Sequence, residues 1–261
     1  MRRALSLASL LTLLMALPAG AARPTGPVGG PPTKIGPVKI ILLDGCIHAQ
    51  VQQEVGRTRT TAALELNSSA MDLGSCQLDP ARAQAALLDL AKALDAERRA
   101  ATQRRAPVPI NIVYTGAFLE GGSVASSWNQ AVQRLSKIAL IVSPGGNNAQ
   151  LSASQVWPSS QYTLKVGNAP NGTPAGSTGP EIAIYLNYAQ PLAVVVDGSN
   201  FSASGSSTAA MLVSSHLANL FKAGVGKKYT PEQIRNKLKA AFSQRVLTEA
   251  ELDARIRVAL R

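Results

Sequence analysis

Short apolar runs and longer stretches of helical period take turns along this chain from Val38 onward. Val38–Leu43 is apolar except for Lys39. A nearly continuous run of that length suits a strand buried on both faces, as in a parallel sheet. It also sets Asp44 at the strand's carboxyl end, the side on which open α/β sheets build their sites. Residues 109–114, 138–142, 162–166, 181–185 and 191–196 read as further strands.

Helical patterns fill the spaces between these runs. Asp79 as N-cap and Pro80 at the first position open a long helix whose broad apolar face carries Leu87, Leu88, Leu90 and Leu94. Residues 126–137 place Trp128, Ala131, Val132 and Leu135 three to four apart. Thr230 with Pro231 and Gln233 forms a capping box before Ile234 and Leu238, and Thr248 with Glu251 repeats it for a last basic helix to Arg261. The stretch from Ile47 to Gly74 is polar and irregular and predicts no definite element. Strands alternating with helices predict an α/β fold, a mainly parallel central sheet with helices on both faces.

The N-terminus follows another pattern. Arg2 and Arg3, an apolar run from Ala4 to Leu17 and a small-residue exit near Ala21 and Ala22 read as a secretory signal peptide over residues 1–22. A membrane anchor needs about 20 apolar residues, and this run is shorter. A Pro/Gly-rich leader follows over 23–37, and no later stretch is long enough to span a bilayer. The expectation is an exported protein, secreted or periplasmic, acting as a monomer.

The formal net charge of +11 suggests affinity for anionic surfaces. The basic residues are spread out, however, and aromatics make up only 4% of the chain, so nucleic acid is not an expected partner. Cys46 and Cys76, in an exported chain, predict one disulfide. With His48 and His216 they form no plausible zinc set, so neither a metal nor a cofactor is expected.

Candidate chemistry centres on Phe201–Met211, a small-residue turn running into the apolar segment 212–221. Ser207 sits where turn becomes helix, near free N–H groups and the positive end of the dipole. That position suits a nucleophile. It equally suits a serine N-cap.

Four segments together resemble the subtilisin-like serine peptidases over residues 38–243, with 244–261 as a separate C-terminal basic helix. Val38–Gly45 resembles the family's aspartate strand, and Trp128–Asn148 resembles its oxyanion-asparagine segment. Trp157–Gly167 looks like the Pro-Ala-x-Tyr…Val-Gly-Ala stretch, and Ser204–Val213 is similar to Ser-Gly-Thr-Ser-Met-Ala-Ala-Pro-His-Val. The resemblance implies Asp44 in the triad aspartate's place, Ser207 in the nucleophile's, and Asn147 as the amide that stabilises an oxyanion.

The family's His-Gly-Thr-His-Val-Ala-Gly motif is absent. His216 follows Ser207 by nine residues on one helix, so it falls on the opposite face. His48 belongs to a loop that the family turns away from the nucleophile. The place of the lost histidine falls near Gly74–Cys76, where a Cys46–Cys76 disulfide would tie together the two elements the family joins by a hydrogen bond. Met211 in place of the family's proline and Ser215 in place of a small glycine also depart from its pattern. The resemblance therefore implies an impaired peptidase that binds extended peptide or protein in its cleft. Two alternatives stand beside it: an active divergent serine endopeptidase, and a basic envelope structural protein.

Overall fold

A computed structural model describes residues 36–67, 80–116, 118–119, 124–158 and 161–261. The signal peptide, most of the leader, the Asp79 cap, the Gly74–Cys76 segment and therefore the Cys46–Cys76 pairing lie outside the described residues. In chain order the elements are β1 (Val38–Leu43), α1 (Cys46–Arg57), β2 (Ala63–Leu66), α2 (Pro80–Gln103), β3 (Ile110–Thr115), β4 (Phe118–Leu119) and α3 (Val124–Ser136). Then come β5 (Leu140–Pro144), β6 (Val156–Trp157), β7 (Leu164–Asn168), β8 (Ile182–Asn187), β9 (Leu192–Val196) and β10 (Ser199–Ala203). The chain closes with α4 (Gly205–Lys222), α5 (Pro231–Phe242), β11 (Arg245–Thr248) and α6 (Glu249–Ala259).

Seven strands form one sheet in the order β11-β8-β7-β5-β3-β1-β2, every neighbouring pair parallel. The fold is α/β with a parallel central sheet and helices on both faces. Alternate side chains go to opposite faces, so each central strand feeds two cores. Ile40, Leu42, Ile112, Tyr114 and Val142 pack with α1, α4, α5 and α6. Ile41, Leu43, Val113 and Ile141 pack with α2 and α3, around Trp128 and Leu135.

Helix α4 carries Ser207 in its first turn. Leu212, Val213, Leu217, Leu220 and Phe221 are buried against the sheet, each contributing about 1.5–3 kcal/mol. Ser214 and Ser215 are also inside, their hydroxyls donating back to the Ala210 and Met211 carbonyls at 2.8 and 3.0 Å. No polar group is left unpaired by that burial.

Three features differ from the expectation. The irregular stretch after Ile47 begins with α1, a twelve-residue helix, so His48 lies in a helical first turn and not in a loop. The helix buries Ala49 and Val55 but also Gln52, whose Nε2 reaches Thr208 Oγ1 at 3.5 Å. A glutamine in the core face is what blurs the apolar period. Second, β9 and β10 form an antiparallel hairpin across Asp197-Gly198, both at positive φ (49° and 77°), as a two-residue type I′ turn requires. Third, Arg245–Thr248 adds a parallel strand beside β8, and α6 packs into the same core through Leu252 and Ile256. Among the described residues no helix is long and apolar enough to cross a membrane, and no group of three His, Cys, Asp or Glu could hold a metal ion.

Candidate functional site

Asp44 follows directly on β1 and is buried. The Gly45 N–H donates to its Oδ1 at 2.8 Å, and the Tyr114 hydroxyl donates to its Oδ2 at 3.4 Å. Burial raises the carboxyl above the usual range, while the Gly45 bond, the charge of His48 and the Tyr114 bond pull it back. Gly116 closes the pocket from β3's end: a Cβ there would fall 2.2 Å from Asp44 Oδ1. Only glycine leaves the carboxylate its place.

The opposite wall is the start of α4, delivered by the β9–β10 hairpin. Ser204 is the N-cap, with extended backbone and no side-chain capping bond. Ser207 is therefore not the cap. It is the third residue inside the helix, half-buried, in the first turn where backbone N–H groups have no intrahelical acceptor. Gly205 has φ +75°, and a Cβ there would lie 2.6 Å from Asn147 Oδ1. Its lack of a side chain lets the turn after β5 close on the helix. Across that contact the Ser206 N–H donates to Asn147 Oδ1 at 2.7 Å, and the Gly146 N–H donates to Ser206 Oγ at 3.1 Å. With Oδ1 occupied by Ser206, Asn147 keeps its Nδ2 beside the Gly205 turn. On the outer side the Tyr188 hydroxyl donates to the Gly205 carbonyl at 3.0 Å. Burial lifts that phenol to about 12.

Tyr114 joins the two walls. It projects from β3 in register with Leu42, two residues before Asp44, and so onto the face that carries α4. Its hydroxyl donates to Asp44, and the Ser207 side chain lies close enough to favour the ionised phenol. The one phenolic proton goes to Asp44, which leaves the phenol oxygen only acceptor capacity toward Ser207. Complete burial and the Asp44 charge raise the phenol well above its ordinary value, with the Ser207 bond opposing them. The phenol beside Ser207 is thus neutral at any physiological pH. A neutral phenol is a poor general base.

Neither histidine makes a hydrogen bond to Ser207 among the described residues, although the charge of His48 acts on Asp44. His216 lies on α4 away from Ser207 and is held between Asp253 and Glu249 of α6. His48 is exposed on α1. Asp44 and Ser207 both neighbour Tyr114, which sequence reasoning counted as part of a buried strand, and Asn147 meets the start of α4 through the Ser206 N–H. A tyrosine at the carboxyl end of an apolar run, level with Asp44 on the neighbouring strand, was the available signal.

No protein-family model matches the sequence, and no curated protein matches it. Two solved structures are similar in fold. A cold-adapted subtilisin-like serine proteinase superposes with a TM-score of 0.57 at 11% identity, covering 82% of this chain and 89% of that one. The A-subunit of the AB5 toxin from E. coli gives a TM-score of 0.54 at 14% identity, covering 87% of this chain and 93% of that one. The likeness is one of fold, to a subtilisin-like protease architecture.

Proposed function

We propose that this chain is an exported subtilisin-like domain that binds extended peptide in its cleft and cuts it poorly or not at all. One observation carries the reading: the Tyr114 hydroxyl donates to Asp44 at 3.4 Å, and the Ser207 side chain acts on the same phenol. A peptidase of this design needs an imidazole there to take the serine proton. Here Asp44 retains the aspartate's place, Ser207 the nucleophile's and Asn147 the oxyanion amide's, while a phenol fills the space of the base. Loss of the base lowers turnover by about 10⁴–10⁶-fold. Binding does not need a base, because a peptide adding to a cleft draws its affinity from main-chain hydrogen bonds and side-chain pockets.

The test combines two measurements on one preparation. Fluorescein-labelled extended peptides are titrated by polarisation, and the same peptides are followed for cleavage by mass spectrometry, with an active-serine phosphonate as a probe of Ser207. Saturable binding without cleavage or labelling is the expected result. Stoichiometric labelling that disappears in Ser207→Ala would overturn it and identify a working peptidase. That second reading draws on a specific feature, since the phenol that separates Ser207 from Asp44 also connects them. A proton could pass from Ser207 to Tyr114 as the Tyr114 proton passes to Asp44, and Tyr114→Phe would then abolish labelling.

A further inference from the structure

Beside the Gly205 turn, at the carboxyl ends of β7 and β8, opens a cavity of about 900 Å³, within the size range of ligand sites. Asn147, Asn168, Asn171, Asn187 and Gln190 bring five carboxamides to its wall, and Tyr188 adds an aromatic ring. Among the described residues that line it there is no Lys, Arg, His, Asp or Glu. Such a wall is rich in donors and acceptors and carries no formal charge.

Three of its amides, those of Asn147, Asn168 and Gln190, are held by hydrogen bonds. Asn168 is only 7% exposed, and its Oδ1 accepts from Gln190 Nε2 at 3.4 Å. Gln190 Oε1 in turn accepts the Gly205 N–H at 3.4 Å. The Asn168 Nδ2 donors are therefore left for whatever enters, and Asn147, whose Oδ1 is occupied by Ser206, likewise offers Nδ2. A charged ligand group would lose water here and meet no opposite charge. An aliphatic group would cover the buried Asn168 donors without pairing them, which is the more severe mismatch for a site built on hydrogen bonds. A carboxamide supplies both a carbonyl for those donors and an NH₂ for the neighbouring carbonyls.

We propose that this cavity is a specificity site for an uncharged carboxamide side chain, glutamine or asparagine, of a peptide lying in the cleft. The inference rests on the peptide-binding reading above and deepens it. The cavity shares Asn147 and Gly205 with the Ser207 turn, so a chain passing Ser207 can place a side chain in it.

The experiment uses labelled Gly/Ser host peptides with a single central Gln, Lys, Glu or Leu, titrated by fluorescence polarisation. A β-linked N-acetylglucosamine trimer, neutral and rich in acetamides, is titrated beside them. The Gln peptide should bind about tenfold tighter than the other three, the loss expected for an unpaired hydrogen-bonding group. Asn168→Leu and Gln190→Leu, each checked for folding by circular dichroism, should bring the Gln peptide to the affinity of the Leu peptide. Equal affinity for all four peptides overturns the carboxamide inference while leaving peptide binding intact. Binding of the sugar trimer alone reassigns the cavity to a glycan, and binding of no peptide overturns both readings.

Discussion

His216 Nδ1 lies 2.7 Å from Asp253 Oδ1, and its other ring nitrogen lies 3.2 Å from Glu249 Oε2. The ring thus clasps α4 to α6, and both nitrogens act as donors only when the imidazole is protonated. Burial alone would lower its pKa, but the bonds to Glu249 and Asp253 and their charges raise it above the ordinary value. Glu249 is lowered in turn, first by the His216 bond and also by Arg59, 3.5 Å away.

The signs of the two shifts are opposite. The stability from His216 is full below the unfolded value of about 6.5 and is lost as pH rises through the higher folded one. That from Glu249 is present above about 4.3 and is lost as pH falls through the lowered folded value. Urea denaturation should therefore show the protein most stable near pH 5–6, with a decline on the alkaline side that His216→Gln removes. The substitution should cost about 1–3 kcal/mol at pH 5.5 and less at pH 8.5. An identical loss at both pH values would show that the ring acts by packing alone.

Gly116 and Asp44 make a second close pair. Because a Cβ at residue 116 would fall 2.2 Å from Asp44 Oδ1, Gly116→Ala must push the carboxylate away or shift β3. The expected destabilisation is about 1–3 kcal/mol. The displaced carboxylate should also release the Tyr114 hydroxyl, visible as a change in near-ultraviolet circular dichroism. An unchanged melting temperature and spectrum would show that the pocket yields freely.

These contacts show which parts of the molecule the sequence announces. The central strands are legible because burial on both faces leaves Val38–Leu43 and Ile138–Val142 almost without polar residues. The place of Asp44 follows from the end of such a run, and Ser207 stands out by the small-residue turn before the apolar segment 212–221. Helix α1 is obscured because Gln52 occupies its core face to meet Thr208. The Asp197-Gly198 dipeptide did carry a hairpin signal, weakened by a following strand, Ser199–Ala203, that is mostly polar and exposed. The role of Tyr114 could not be read locally at all. Its partners lie 70 residues before it and 93 after it, and only the pairing of β3 with β1 and the packing of α4 bring the three together.

Lys239 of α5 is another group set by tertiary environment. Partial burial, with the Arg235 charge adding to it, lowers its ammonium to about 8. Reductive ¹³C-methylation followed by NMR titration should show one lysine with a midpoint near this value, well below the ordinary range of about 10.4. Because the folded state holds that proton less tightly than the unfolded one, stability gains from this group as pH rises from about 8 toward 10.4. Lys239→Met should remove the resonance and raise stability at neutral pH by about 1 kcal/mol. A midpoint in the ordinary range would disprove the assignment.

The decisive substitution is at Tyr114. Removing its ring opens a space bounded by Asp44 on one side and Ser207 on the other, the two groups an imidazole would need to meet. Tyr114→Gly should be inert in buffer and should gain phosphonate labelling at Ser207 when free imidazole is added. Imidazole takes the Ser207 proton, the serine oxygen bonds to phosphorus, and fluoride leaves when a fluorophosphonate is the probe. A positioned base contributes about 10²–10⁴-fold, so a diffusible one should give on the order of 10²-fold over buffer at the low end of that range. Tyr114→Ala, which leaves a smaller opening, should respond less, and Ser207→Ala in the Tyr114→Gly background should abolish the gain. Losing a buried aromatic costs about 3–5 kcal/mol, so folding is checked by circular dichroism. Should neither variant fold, Tyr114→His, which keeps a ring in the space, carries the test without added imidazole. Labelling of the unaltered protein at the rescued rate would show that Tyr114 does not block the base position.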